Sequence, residues 1–541
     1  MAMGIDEIEF YFSPFTGIED PRNRNTIFLA FGFENQEDPG LAEWFGELEG
    51  RRQSIDKIPI KSDEDVVSLQ TILREGKTHH AGLIYARYPW KKKKEIVLGD
   101  INFLREIFCN TILAVGRVKN EKHTALCIIL PDKFSPRNIQ DEEQRGHLYQ
   151  FVKTVTEAIV YANEPYVDFK TDVGSKIKEV FFLFFGEPQK ALDEFLRKAI
   201  VDGKITGNWM AIVRRLTETP PNIQTPLELA AEVLGKKIGA VHSGRWRKIG
   251  VSKRIVAHIL SGTKTLRAHG FNLTATVNDG SEHEPCILKL HYIPKTNRQK
   301  RIRKVVLTGK GVVFDTGGHD LKGTGFYDRM HYDMAAAATV LAIPFLAEEF
   351  NLPVEIIAIA PMVQNMLGPK AVLPHSIIRA YGGKTVEITN TDAEGRLILA
   401  EAIAFGDEKF KPDALITVGT LSDMSGFGPD FLKVGFSGNE NERRIKVAEK
   451  LSAEKVLMLP RLEYLNRVDE IHDSPHADII NDLGNTAYHT SPFVFLSNFF
   501  KYETSWIFVD NSAVFESDAH AYGAGPGFGL KFVWHLVKQF S

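Results

Sequence analysis

An α/β protein in two domains is what the sequence predicts, with a smaller α/β domain at the N-terminus and a larger C-terminal one built on a mixed central sheet flanked by helices. Three observations carry this. The chain has 541 residues, whereas a single hydrophobic core stops growing near ~250–300 residues. Short apolar runs bounded by turn residues recur along it and read as strands. Between them lie segments whose apolar residues repeat at helical spacing.

In the first third, the apolar runs at 27–33, 81–85, 124–130 and 180–185 predict strands, and the spacing over 64–74 and 142–162 predicts helices. The character changes near residue 205. Residues 208–216 have helical spacing, and TETPPNIQTP at 217–226 contains three prolines, which interrupt regular elements. The expected domains are therefore 1–205 and 206–541. In the second, 305–307, 354–360, 414–418 and 506–509 are nearly continuous apolar runs, the pattern of strands buried on both faces. Helices are expected between them, over 334–350 and 397–405.

Composition narrows the function. A net charge of −3 gives no broad basic field, so nucleic acid is not an expected partner. Cys109, Cys127 and Cys286 are an odd count at wide spacing without CxxC, which argues against a disulfide framework or a thiolate metal site. The N-terminus MAMGIDEIEFYF is acidic where a signal peptide is basic, and no run reaches the ~18 apolar residues of a membrane span. A cytoplasmic protein without a membrane partner is expected.

The chemistry concentrates in two segments. LTGKGVVFDTGGHDLKGTGFYDRMHYDM places Lys310, Asp315, Lys322 and Asp333 around a strand-like GVVFD and a glycine-rich turn; charged groups beside a buried strand need pairing or a metal. EITNTDAEGRLILAEAI sets Asp392, Glu394 and Arg396 at alternate positions, so in an extended stretch all three would leave the same face. Four carboxylates and a lysine without His or Cys form a hard ligand set suited to paired divalent ions. Two such ions can activate a bridging water and polarise a carbonyl together. A network of salt bridges is the other reading open to these residues. His319 and His331 lie in the first segment without paired spacing and read as structural or supporting. No HExxH, GxSxG or phosphate-loop motif occurs.

GKGVVFDTGG, Lys322, the DM at 333–334 and above all NTDAEGRL at 390–397 resemble the leucyl aminopeptidase (cytosol aminopeptidase) family. RRLTETPPNIQTP, DGSEHEP at 279–285, GGKTVEI and the stretch from Leu459 to Asn481 extend the resemblance over 214–541. It implies a metal-dependent aminopeptidase that hydrolyses the N-terminal residue of peptides with a free N-terminus, through a water bridging two divalent ions, zinc or manganese. Lys310, Asp315, Asp333 and Glu394 would hold the tighter ion and Asp315, Asp392 and Glu394 the more exchangeable one. Lys322 would stabilise the oxyanion, and Arg396 would position a bicarbonate acting as general base. The family also implies a homohexamer, a metalloprotease of the cytoplasm. The alternative is a non-catalytic binding or regulatory protein on the same fold.

The chain departs from the family pattern in four places. DMAAAA at 333–338 replaces DMGGAA, so Ala335 adds a methyl near the ligands. Asp423 stands where a glycine shapes the substrate pocket, beside Met330, which favours basic N-terminal residues over leucine. Phe508 replaces the histidine of WxHxD, and His375-Ser376 falls where RPGD is usual.

Overall fold

The computed structural model describes residues 142–164, 177–184, 190–236, 245–295, 301–422, 431–452, 454–465, 469–472, 474–484, 489–515 and 527–541, together with six N-terminal strand segments between 9 and 129. The chain divides into two compact units after Ala211, inside a helix, Lys190–Glu218, that also contains the expected boundary at 205.

In the N-terminal unit the strands are β1 (Glu9–Pro14), β2 (Thr26–Phe33), β3 (Ile55–Ile58), β4 (Val67–Leu73), β5 (His80–Tyr88), β6 (Ala125–Ile129) and β7 (Glu179–Phe184), ordered β1-β7-β6-β2-β5-β4-β3. β1, β7, β6, β2 and β5 pair in parallel, and β4 runs antiparallel to both β3 and β5. The helix expected over 64–74 is thus a strand. Its Val67, Leu69, Thr71 and Leu73 alternate with Ser68, Gln70 and Ile72, a period-two pattern that two flanking strands can use and a lone helix cannot. Helix α1 (Glu142–Ala162) forms as its spacing predicts.

Helix α2 (Lys190–Glu218) ends before the prolines, and α3 (Pro226–Leu234) begins on them. Thr225 caps α3 in a reciprocal arrangement with Glu228, and Pro226 occupies the first turn, where a missing N–H costs nothing. The C-terminal unit is built on β8 (Arg247–Gly250), β9 (Ile255–Ser261), β10 (Cys286–Tyr292), β11 (Arg303–Gly309), β12 (Gly311–Asp315), β13 (Val354–Asn365), β14 (Ser376–Arg379), β15 (Thr385–Ile388), β16 (Ala414–Gly419), β17 (Phe431–Phe436), β18 (Lys455–Met458), β19 (Ile479–Ile480) and β20 (Ser505–Asp510). Its main sheet runs β18-β17-β20-β16-β11-β13-β10-β9-β8, with β12 on β13.

The centre of that sheet, β20-β16-β11-β13, is parallel, and both faces are covered. Short helices α4 (Thr263–Ala268) and α5 (Asn272–Val277) precede β10, followed by α6 (Ala335–Glu349) and α7 (Glu394–Phe410). Val306, Ile357, Ile359 and Leu415 pack with Leu397, Ile403 and Phe405 of α7. Gly309, of opposite parity to Val306, faces Val340 and Ala336 of α6. Strands sandwiched this way bury every side chain, which is why they read as unbroken apolar runs. The stretch Met330–Glu349 is apolar and long enough to cross a membrane, yet 89% of the tested window is buried; it is a core helix with its preceding turn.

Candidate metal centre

The site forms where strand ends meet a helix start. β11 and β12 are parted at Lys310, whose N–H donates to Val418 O and whose carbonyl accepts from Ala337 N. Its backbone is thereby fixed between β16 and α6. The side chain runs over Gly395, where an added Cβ would lie 2.5 Å from Lys310 Cε, so no larger residue fits. The ammonium ends 2.8 Å from Asp333 Oδ2, 2.8 Å from Glu394 Oε1 and 2.7 Å from Thr420 O.

β12 ends on Asp315, in register with Asn365 of β13. The chain then turns through Gly317 at φ 86°, where a Cβ would meet Asp320 O at 2.4 Å. The turn brings Lys322 back, with its N–H on Thr316 O, and sets its ammonium 2.8 Å from Asp315 Oδ2 and 2.5 Å from Asp392 Oδ1. One carboxylate oxygen each from Asp315, Asp392 and Glu394 lie within 4.8 Å of one another.

Four carboxylates thus face two ammonium groups. Burial opposes the charge on Lys310, but Asp333, Glu394 and Asp315 outweigh it and hold its pKa above the ordinary lysine range; Asp315 and Asp392 do the same for Lys322. The acids respond in the opposite sense. Burial and then the Asp315 carboxylate raise Glu394 and push Asp392 up to about 7, and burial raises Asp333. Even with both lysines charged, the cluster carries more negative charge than it can balance.

The carboxylates are built to meet a cation. Asp315 Oδ1 accepts from Asn365 Nδ2 at 2.8 Å and Gly317 N at 2.9 Å, leaving Oδ2 toward the centre. Asp333 Oδ1 accepts from Thr420 Oγ1 at 2.6 Å, leaving Oδ2. Asp333 Oδ2, Asp392 Oδ1 and Glu394 Oε1 are buried, and among the described residues each meets a lysine ammonium and no other donor. Such open oxygens on a hard, charge-rich cluster fit divalent ions.

The stretch expected to be extended through Asp392, Glu394 and Arg396 is not extended. Glu394 opens α7, and two residues along a helix turn a side chain through about 200°. Asp392, in the turn before the helix, and Glu394 reach the cluster, while Arg396 points elsewhere. Its Nη1 donates to Asn481 O, Asp482 Oδ1 and Ser491 Oγ. Only two of the three groups converge.

Four supporting residues are not among the expected site residues, Thr391 included although it stands within NTDAEGRL. Asn365 bridges Asp315 and Thr391 O, and Thr391 Oγ1 donates to Gly317 O at 2.7 Å. Thr420 orients Asp333, and Asp482 faces Arg396. The terminal Gln364-Asn365 of a β13 that is apolar from Ile356 to Val363 was the available signal, because polar residues ending a buried strand need a purpose. Met330 opens a single 3₁₀ turn leading to Asp333 and is half-buried, His331 stacks edge-on against Tyr332, and His319 is exposed. Asp423 lies outside the described residues. The Ala335 methyl packs with Tyr332 and Val514. Phe508 joins Phe493 and Trp506 in the core, and His375 binds Glu387 through Nδ1 at 2.8 Å.

Residues 211–533 match the model of the cytosol aminopeptidase family, catalytic domain. A probable cytosol aminopeptidase of Chlorobium limicola is 29% identical over 375 residues, 69% of this chain and 70% of its own. One of Cenarchaeum symbiosum is 32% identical over 351 residues, 63% and 67% of the two chains. Among solved structures, a mutant of tomato leucine aminopeptidase superposes with a TM-score of 0.75 at 20% identity, covering 99% of this chain and 97% of that one. The bottromycin maturation enzyme BotP in complex with Mn gives 0.69 at 19%, covering 95% and 99%. At these identities the two structures share the fold.

Proposed function

The chain belongs to the cytosol aminopeptidase family and is a metal-dependent aminopeptidase, a hydrolase acting on peptides; within that activity we propose that Lys310, Asp315, Asp333, Asp392 and Glu394 hold two divalent ions and that Lys322 acts on the scissile carbonyl. The observation that carries the reading is the convergence of buried carboxylate oxygens, more in number than the two lysine ammonium groups they meet. Bound there, divalent ions supply Lewis acidity and an activated water at neutral pH.

The chain's own residues do the rest. Asp315 and Glu394 are central to the cluster and would be shared between the ions, with Asp333 and Asp392 on either side. Lys310 coordinates only as the neutral amine, so it gives up the proton that Asp333, Glu394 and Asp315 otherwise favour. Lys322 keeps its proton. With Asp315 and Asp392 engaged by ions, its ammonium would be available to donate to the oxygen of the scissile carbonyl as negative charge grows there, a preorganised donor of the kind that contributes most to rate. Met330, just before Asp333, and Asp423 are proposed for the pocket that takes the first side chain of a substrate.

The manganese complex of BotP supports manganese as the ion, and zinc is proposed beside it with the family. Cytoplasmic location and a homohexamer are proposed with the family. The test is release of a chromogenic amine from aminoacyl substrates with and without chelator, alongside metal analysis. Turnover should vanish on chelation and return with manganese, zinc or cobalt at two ions per chain; full turnover by verified metal-free protein would refute the reading.

A further inference from the structure

Arg396 is a buried guanidinium, with 5% of its side chain exposed, and a buried charge needs a counter-charge. The resemblance supplies one from solution, as bicarbonate. The chain supplies one of its own. Arg396 Nη1 donates to Asp482 Oδ1 at 2.7 Å, to Ser491 Oγ at 2.8 Å and to Asn481 O at 3.0 Å. Asp482 Oδ1 also accepts from Ser491 Oγ at 3.0 Å, and Oδ2 accepts from Asn390 Nδ2 at 2.9 Å. Burial works against this carboxylate, but Arg396 and the hydrogen bonds from Asn390 and Ser491 outweigh it and hold it below the usual carboxylate range.

The pair is also fastened to the ligand turn. Asn481 Oδ1 accepts from Thr389 N and Asn390 N, and its amide donates to Asn390 O at 2.6 Å. Asn390 Oδ1 in turn accepts from Asp392 N at 2.9 Å. Arg396, Asp482 and Asn390 therefore form one chain of contacts that ends on the backbone N–H of Asp392, the residue whose carboxylate reaches the cluster. Arg396 Nε is buried without a partner, but a bicarbonate against it would set a second anion beside Asp482 on a guanidinium whose charge is already matched.

We infer that Asp482 is the resident counter-anion of Arg396 and a positioning residue for the turn that carries Asp392, so that the reaction takes no bicarbonate at this guanidinium. The inference rests on the metal centre proposed above. The test uses two readouts: turnover of the metal-loaded enzyme in bicarbonate-free buffer and in millimolar bicarbonate, and the Tm of the metal-free protein under the same two conditions.

In the parent neither quantity moves. Asp482→Asn keeps the shape and removes the charge. It lowers kcat about 10- to 100-fold, the usual loss for a partner of a metal ligand's surroundings, and now both kcat and the metal-free Tm rise with bicarbonate as the added anion takes the lost charge's place. Asp482→Glu retains the parent's indifference to bicarbonate. A parent whose kcat or Tm rises saturably with bicarbonate overturns the inference, as does a folded Asp482→Asn chain that ignores it. The parent's Tm decides the matter if the variant does not fold. That readout also needs no turnover, so it separates failure of this inference from failure of the metal-centre reading.

Discussion

Glu394 and Glu401 lie on the same helix, two turns apart, and both are buried carboxylates, yet their surroundings differ in kind. Glu401 is saturated: Oε1 accepts from Leu273 N and Tyr381 N, and Oε2 from Thr274 N and Thr274 Oγ1. It closes the start of α5 and pins the 381 turn to α7. Glu394 meets the Lys310 ammonium at 2.8 Å and, across the cluster, the carboxylates of Asp315 and Asp392. After burial, what disfavours the charge on Glu394 is another carboxylate, Asp315, whereas every other influence on Glu401 is a hydrogen bond that favours it. A carboxylate that serves the fold is closed by donors; one that serves a ligand is left open among its own kind.

The largest effect that would break this comparison is on activity. Asp392→Ala or Glu394→Ala should reduce turnover to background, while the metal-free variants unfold at a temperature no lower than the metal-free parent, since each change also removes repulsion. Loss of soluble protein in both would place these residues with Glu401 as structural. Next comes Lys322→Met, which should lower kcat by about 10²–10³, the loss typical of one oxyanion donor, with metal content unchanged; a variant that also loses its ions would make Lys322 part of the ligand set.

Glu401→Leu should do the reverse. It strands several donors in the interior at about 1–3 kcal/mol each, so chemical denaturation should show a clear loss of stability with the ions still bound at two per chain. A change that removed metal and spared stability would erase the distinction. The smallest effect is on pH dependence. Burial pushes Glu401, and burial with Asp315 pushes Asp392, up to about 7. Between pH about 4 and 7 the metal-free fold therefore keeps protons that the unfolded chain has lost, and stability falls as pH rises through that window. Metal should reverse the trend, because its ligands bind deprotonated. Tm measured against pH with chelator and with manganese checks both signs, and equal slopes would exclude the carboxylates from binding.

Much of the catalytic unit was legible because buried parallel strands leave unmistakable apolar runs, and because NTDAEGRL and GKGVVFDTGG gather ligand types that have no cheap structural use. What was not legible depended on geometry that spacing alone leaves open. Alternation of Asp392, Glu394 and Arg396 suits a strand as well as a turn followed by a helix; the LILAEAI that follows, packed on the sheet, decides for the helix and sends Arg396 away from the cluster. Residues 64–74 failed in the opposite direction, since a short mixed run accepts either period until β3 and β5 pair with it. Asn365 and Asp482 lie outside the motifs, and Thr391 sits inside NTDAEGRL without a ligand's chemistry; the roles of all three exist only across distant segments.

The register of β12 against the far end of β13 bears on the order of events in the life of the molecule. Asp315 and Asn365 come level only when that pairing is complete, and Glu394 arrives only when α7 has docked on the sheet. An unfolded chain therefore lacks the assembled cluster, and on the proposed metal centre the ions are expected to load a folded chain. Chain refolded in chelator should be as ready to receive metal as chain that never lost its structure, and loading becomes a separate maturation step that the supply of ions can control after synthesis.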